Sequence, residues 1–127
     1  MTKFLSGQRV LVVEDEIMIL MNIEAALADL GCEAMSAAAT VDHALALVDA
    51  ERFDLAILDV NLDGQTSYLV ADALALRSIP FVFSTGYGRR GVEARFSDRP
   101  VLTKPYSDNE LAAALASLLP ADHEGVA

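Results

Sequence analysis

The carboxylate of Asp59 is a candidate for a chemical role because of its position in the sequence. It follows the uninterrupted apolar run of residues 55–58, which is typical of a strand buried on both faces of a sheet. Ligands of open α/β sheets bind at the carboxyl ends of the strands, so Asp59 is a candidate reactive group. The alternative is that Asp59 only caps a turn, because Asn61, Asp63 and Gly64 are turn residues.

Three other apolar runs also end in polar side chains. Those side chains are Glu14, Asp15, Ser84, Thr85 and Lys104. If the strands are parallel, these ends share one edge of the sheet, and three carboxylates there repel one another unless a hard divalent cation lies between them. Mg²⁺ takes oxygen ligands and bridges carboxylates to phosphate. A carboxylate nucleophile, a metal and a lysine for the phosphoryl oxygens together indicate phosphoryl transfer.

The elements that must position these side chains follow from apolar spacing. The pattern predicts strands at 9–13, 32–37, 55–58, 81–83 and 101–103, and helices at 16–30, 41–50, 68–77 and 107–119. Thr40, Ser67 and Ser107 are predicted N-caps, with Glu110 completing a capping box at Ser107. The segment 86–99 has three glycines and four arginines, so the helix between the last two strands is expected to be short or absent. Strands alternating with helices predict a parallel sheet covered on both faces.

Composition narrows the class of protein. The chain has 127 residues, of which 54% are hydrophobic, and this favours one domain spanning 1–127, with a core at about 8–120 and loose ends at 1–8 and 121–127. No apolar run approaches the roughly 20 residues of a membrane span, and no signal peptide is evident. With Cys32 as its single cysteine, the chain is expected to be cytoplasmic. The net charge of −10 disfavours direct contact with nucleic acid.

Some residues outside the strand ends could serve binding. Ile17, Met18 and Met21 fall largely outside the apolar stripe of the first helix. They either extend its contact with the core or form a docking patch, since methionine suits adaptable interfaces. His43 and His123 have no second histidine or cysteine at metal-ligand spacing, so we interpret both as facing solvent.

Four motifs, in this order and at these separations, resemble the receiver domain of two-component response regulators: LVVEDE, ILDVNLDG, FVFSTG and LTKPY. The resemblance covers nearly the whole chain. It implies a flavodoxin-like, doubly wound α/β fold with a five-stranded parallel sheet of order 2-1-3-4-5. It also implies that Asp59 accepts a phosphoryl group from a histidine kinase, and that the bond before Pro105 is cis.

The same resemblance implies roles for the other strand-end residues. Asp15 would be a direct Mg²⁺ ligand, Glu14 would act mostly through water, and Asn61 would contribute its backbone carbonyl. Thr85 would be the hydroxyl that moves toward the phosphoryl group. Lys104 would pair with that group.

The segment FSTGYG is also similar to the FATGYG sequence of the FAT GUY subgroup, whose members are often single domains paired with HWE-type or related kinases. Ser84 replaces the alanine, and Asp63 stands where many receivers have a proline. Val101 occupies the place of the aromatic residue that usually swings inward on activation. Tyr87 is the alternative switch residue, unless it merely covers the loop.

We therefore expect a single-domain response regulator that is phosphorylated in a Mg²⁺-dependent reaction. It would signal by conformational change to an unknown downstream protein, through the segment 86–99 with the last strand and helix, or act as a phosphate sink. It would be no enzyme beyond self-phosphorylation and autodephosphorylation. A receiver that signals by binding alone is less consistent with the complete set of acids, hydroxyl and lysine.

Two alternatives come from other classes of protein. A haloacid dehalogenase-type phosphatase also uses an aspartate nucleophile, a lysine and Mg²⁺, but generally has a second acid where this chain has Asn61. A nucleotide-binding module is indicated by Gly86, Gly88 and Gly91, which spell G-x-G-x-x-G. That motif requires a helix opening at the glycines in the first βαβ unit, whereas here it follows the fourth predicted strand.

Overall fold

The computed structural model describes residues 3–119, apart from the side chain of Arg89, and is built on a five-stranded parallel sheet. The strands are β1 (Arg9–Val13), β2 (Ala34–Ala38), β3 (Leu55–Asp59), β4 (Phe81–Thr85) and β5 (Val101–Thr103). They lie in the order β2-β1-β3-β4-β5, and each neighbouring pair is parallel. The flavodoxin-like order expected from the motifs is confirmed.

The helices cover both faces of this sheet. They are α1 (Ile17–Asp29), α2 (Val41–Ala50), α3 (Tyr68–Leu76) and α4 (Asp108–Leu118). The buried side chains of α1 and α4 pack with Val12, Ile57 and Val82, and those of α2 and α3 pack with Leu58 and Phe83. Because successive strand residues point to opposite faces and both faces are covered by helices, the central strands β3 and β4 are apolar up to their polar carboxyl ends and buried at every position.

Two of the three predicted N-caps are confirmed. The Thr40 hydroxyl accepts the His43 N–H at 3.1 Å, and Ser107 and Glu110 form both bonds of the capping box, at 2.9 and 3.0 Å. The prediction for Ser67 is wrong, because its side chain makes no capping bond. Its backbone has φ −96° and ψ 15°, which is not the extended conformation from which a cap side chain reaches the first turn.

The segment between β4 and β5 contains two 3₁₀ turns, Gly88–Gly91 and Ala94–Phe96, in place of an α-helix. This agrees with the expected short fourth helix. The ring of Phe96 is buried, lies 5.3 Å from the Phe83 ring and stacks on Tyr68 at 5.5 Å. One aromatic side chain therefore attaches a largely polar segment to the core.

The start of the chain differs from the expected loose end. Leu5 is fully buried beneath α1, and its N–H donates to the Leu30 carbonyl at 3.0 Å. The turn at Gly31 allows this close approach, since its φ is +93° and a Cβ there would lie 2.8 Å from the Ser6 hydroxyl. Residues 3–8 are thus part of the fold. The first two residues and the segment 121–127, which was also expected to be loose, lie outside the described residues.

A short antiparallel hairpin, Asn61–Leu62 with Gln65–Thr66, connects β3 to α3. Its turn places Asp63 at φ 51° and Gly64 at φ 88°, as a tight hairpin turn requires. The Lys104–Pro105 bond after β5 is cis. Within residues 3–119 we find no helix with both the length and the apolar character needed to cross a bilayer.

Candidate functional site

The polar strand ends meet at the carboxyl edge of the sheet, as the sequence predicts. Asp59 and Thr85 are the last residues of β3 and β4, while Glu14 and Lys104 directly follow β1 and β5. A cleft of about 560 Å³ opens at this edge. Its lining includes Asp15, Asp59, Asn61, Thr85 and Lys104. The alternative that Asp59 serves only a turn is not what the structure shows, because it faces this shared cleft.

Three carboxylates form a cluster with the geometry of a cation site. Glu14, Asp15 and Asp59 each present an oxygen, and these oxygens all lie within 4.8 Å of one another. Glu14 and Asp59 are buried and Asp15 is half-buried. Several close carboxylate oxygens are the donor set that a hard divalent cation takes, so these residues could hold such an ion. The backbone N–H of Asn61 donates to Asp59 Oδ1 at 3.3 Å, and this bond keeps the Asn61 backbone beside the cluster.

Lys104 lies between two of these acids. Its Nζ is 3.1 Å from Asp59 Oδ2 and 3.2 Å from Glu14 Oε1. Burial alone would lower the pKa of Lys104, but its hydrogen bond to Asp59 and the charges of both acids raise that pKa above its ordinary value. The ammonium is therefore held in its charged form beside Asp59.

The pKa of Glu14 shows how unfavourable the negative charge of this cluster is. Its side chain is 2% exposed, and burial raises its pKa to about 7. The Glu16 N–H, 3.1 Å from Glu14 Oε2, opposes this rise, whereas the charge of Asp59 adds to it. A positive charge at this place stabilises the ionised carboxylates, and Lys104 supplies one.

On the other side of the cleft, the Thr85 hydroxyl contacts the segment that follows β4. It is buried and accepts the Tyr87 N–H at 3.2 Å. A Cβ at Gly91 would lie only 2.8 Å from Thr85 Oγ1, so the chain passes directly against this hydroxyl. Tyr87 itself is 77% exposed and is among the residues that line the cleft. Val101, in the place of the usual aromatic, is half-buried.

Sequence reasoning missed Tyr68, which was interpreted only as the first residue of a helix. Its hydroxyl donates to the Gly91 carbonyl at 3.2 Å and accepts the Glu93 N–H at 3.0 Å. These two bonds tie the segment after β4 to the start of α3. The signal available in the sequence was a tyrosine at the start of α3, directly after the hairpin that follows β3.

The predicted docking residues lie on the surface. Ile17, Met18 and Met21 are 67%, 68% and 56% exposed, so they do not extend the core contact of α1. A second cleft of about 410 Å³ lies between α1 and α4, and its lining includes Ile19 and Tyr106 but none of these three residues. Ile17 is the first residue of α1 and directly follows Glu16, so the apolar patch begins close in sequence to the acidic cluster.

Other sequence features take no part in the site. His43 is exposed on α2, while His123 lies outside the described residues. The glycines of G-x-G-x-x-G lie in and beside a 3₁₀ turn, with no α-helix opening there to receive a pyrophosphate. The Asn61 side chain accepts the Gly64 N–H at 3.1 Å and stabilises the hairpin turn.

Comparison with known proteins gives three findings. The family model described as Response regulator receiver domain matches residues 10–116. Among curated proteins, the transcriptional regulatory protein PdtaR of Mycobacterium tuberculosis is 30% identical over 112 residues, which is 85% of this chain and 55% of PdtaR. The chain thus spans about half the length of the curated relatives it matches.

Solved structures of similar proteins cover about nine tenths of this chain. SdrG from Sphingomonas melonis Fr1 is 48% identical with a TM-score of 0.80, over 89% of this chain and 97% of SdrG. The BeF3-activated conformation of SdrG from Pseudomonas melonis Fr1 is 47% identical with a TM-score of 0.78, over 91% of this chain and 98% of that chain.

The position of Lys104 predicts an unequal effect of removing two ion pairs. In the absence of divalent cations, Lys104→Met should lower the free energy of unfolding by about 1–3 kcal/mol, because Glu14 and Asp59 then face each other without a cation. Arg77→Met breaks the exposed pair with Asp49 and should cost less than about 1 kcal/mol. Urea unfolding in chelator measures both. Equal losses would contradict the stabilising role of Lys104.

Proposed function

Because this chain belongs to the response regulator receiver family of two-component signalling, we propose that it accepts a phosphoryl group from a histidine kinase on Asp59 in a Mg²⁺-dependent reaction. The observation that carries the proposal is the place of Asp59. Its carboxylate belongs to the cation-binding cluster and lies 3.1 Å from an ammonium at the floor of one cleft. No other carboxylate lining that cleft contacts a lysine among residues 3–119.

The residues present divide the reaction between them. An Asp59 oxygen forms the new bond to phosphorus as the bond from phosphorus to the kinase imidazole breaks. Lys104 can give an N–H to a phosphoryl oxygen, and the Thr85 hydroxyl can bind a second one by moving into the cleft. A Mg²⁺ ion held by Glu14, Asp15, Asp59 and the Asn61 carbonyl would neutralise charge on those oxygens.

The output follows from what Thr85 contacts. Movement of this hydroxyl into the cleft breaks its bond with the Tyr87 N–H and removes the group against which Gly91 packs. The segment 86–99, with β5 and α4, is therefore the output face that we propose for a downstream protein. The exposed Tyr87 ring is free to turn inward in place of the missing aromatic at Val101.

The class of kinase is a further part of the proposal. The FSTGYG segment supports membership of the FAT GUY subgroup and an HWE-type or related kinase as phosphodonor, and we expect the protein itself to be cytoplasmic. We place kinase docking at Ile17, Met18 and Met21, which are exposed in the first turns of α1. The protein would then signal to a partner or act as a phosphate sink, with no turnover beyond its own phosphorylation and dephosphorylation. A haloacid dehalogenase-type phosphatase is less well supported, because Asn61 stands where that class generally has its second acid.

Phosphorylation of Asp59 is tested by intact mass after incubation with acetyl phosphate and Mg²⁺. The wild-type protein should gain the mass of one phosphoryl group, and chelation of Mg²⁺ should abolish the gain. Asp59→Asn should gain nothing, because the nucleophile is absent.

The matched control is Asp29→Asn, which removes an exposed acid at the far end of α1 and should leave the gain unchanged. Phosphorylation of the Asp59→Asn variant, or of the wild type in chelator, would reject the proposal. Steady hydrolysis of a generic phosphate ester would favour the phosphatase instead.

Kinase docking is tested by a charge on the exposed patch of α1. Met21→Glu should slow phosphotransfer from an HWE-type kinase at least about tenfold, because a carboxylate replaces an apolar contact in a desolvated interface. Its rate with acetyl phosphate should not change. Leu76→Glu alters an equally apolar residue on α3 that is 85% exposed and should leave both rates unchanged. Equal slowing by the two variants would reject docking at α1.

The output face is tested by hydrogen exchange with and without beryllofluoride and Mg²⁺. Amides of residues 86–99 should change their exchange, and Tyr68→Phe should enlarge the change, since it removes the hydroxyl that holds Gly91 and Glu93. Amides of α2 serve as the internal reference. Unaltered exchange in 86–99 would exclude this segment as the output.

A further inference from the structure

Two buried hydroxyls near the site have no assigned role. Ser84 Oγ and Tyr106 Oη are both inaccessible to solvent, and neither has a hydrogen-bond partner of good geometry among residues 3–119. A hydroxyl buried without a partner is costly, so most such groups in folded proteins are paired. Two unpaired hydroxyls in one region of the core indicate that each is the partner of the other.

The strand register places both groups on the same face of the sheet. Ser84 lies beside Asp59 in the β3–β4 pairing, and it is two residues after Val82, whose side chain packs under α1 and α4. Tyr106 packs against the same apolar cluster. The Thr85 side chain points to the opposite face. Ser84, which is level with Asp59 in the register, thus lies with Tyr106 on the face of the sheet covered by α1 and α4, opposite to the side chain of Thr85.

The electrostatics agree with this placement. Burial raises the pKa of Tyr106, the neighbouring Ser84 hydroxyl lowers it, and the charge of Glu14 raises it again. Ser84 and Glu14 therefore both act on the phenol of Tyr106. It remains protonated at neutral pH, so it can donate a hydrogen bond.

We propose that Ser84 and Tyr106 are positioning residues for Lys104: their hydroxyls form a hydrogen bond that holds the segment 104–106 against the end of β4. The functional consequence rests on the phosphoryl transfer proposed above. In the FATGYG sequence an alanine stands at the place of Ser84 and could not make this bond. The device would therefore be a property of this chain and of others with a serine there.

A second anchor explains why the bond would matter. The Lys104 N–H already donates to the Thr85 carbonyl at 2.9 Å, which fixes the chain before Pro105. A bond from Tyr106 to Ser84 fixes the chain after Pro105, on the same strand. With both sides attached to β4, the Lys104 backbone is held in place, and its ammonium is confined to the region of Asp59 and Glu14. Such preorganisation favours transfer over binding alone.

The bond has a direct signature in proton NMR of the wild-type protein. The Tyr106 hydroxyl proton should be protected from exchange and show a nuclear Overhauser effect to the Ser84 β-protons. Ser84→Ala should accelerate its exchange about tenfold, the factor that corresponds to one hydrogen bond. An unprotected proton, or exchange that is the same in Ser84→Ala, would overturn the pairing whether or not Asp59 is phosphorylated.

The positioning role is tested by a double-mutant cycle on the rate of phosphorylation by acetyl phosphate. Ser84→Ala and Tyr106→Phe should each lower the rate at saturating donor about threefold to tenfold, with unchanged affinity for Mg²⁺. The double variant should be no slower than either single one, because all three lose the same bond.

Ser67→Ala is the matched control, since its hydroxyl is equally buried and unpartnered within residues 3–119. Its rate should stay within about twofold of wild type, and thermal unfolding confirms that each variant folds. Losses that multiply in the double variant, or rates equal to wild type, would overturn the role. A wild type that gains no phosphoryl group would instead reject the proposed function, while the NMR test of the pairing still applies.

Discussion

The burial of carboxylates beside one another is the constraint on which this molecule depends. Glu14 and Asp59 lie within a few ångströms of each other and are almost fully removed from solvent, an arrangement that a nearby cation stabilises. Lys104 supplies that charge from the end of β5, at 3.1 and 3.2 Å. The acidic edge of the sheet therefore requires positive charge, which a bound metal ion could also supply. For this reason the occupancy of the site and the stability of the protein are linked.

The two residues at the end of β4 contact different parts of the molecule, because they lie on opposite faces of the sheet. Consecutive residues at the end of β4 point to opposite faces, so Thr85 meets the segment that leads to the surface, while Ser84 lies under α1 and α4 beside the tyrosine that follows Lys104. A movement of Thr85 would then act on the segment 86–99 without requiring a movement of Ser84 on the other face. The division follows from the two-residue period of a strand.

Much of this arrangement could be predicted from the sequence. Apolar runs that each end in a reactive side chain, separated by helical spacing, require a parallel sheet, and parallel strands place all their carboxyl ends together. For this reason the residue order alone is enough to group Asp59, Asp15 and Lys104. Contacts that depend on tertiary packing were not predictable: the anchoring of Gly91 and Glu93 by Tyr68, the buried face of Ser84 and the seating of Leu5 under α1. Ser67 was a wrong prediction because residue type alone does not set the backbone angles of a cap.

The absence of an α-helix between β4 and β5 in the described chain has a kinetic consequence. The two short 3₁₀ turns there share no run of i to i−4 hydrogen bonds, so rearranging them does not require a cooperative unwinding step. The contacts that resist motion include the hydroxyl of Tyr68, the ring of Phe96 and the ion pair of Arg95 with Asp72. The segment 86–99 can therefore rearrange when a few separate contacts break. The rate of that rearrangement can be changed by substituting one aromatic side chain at a time.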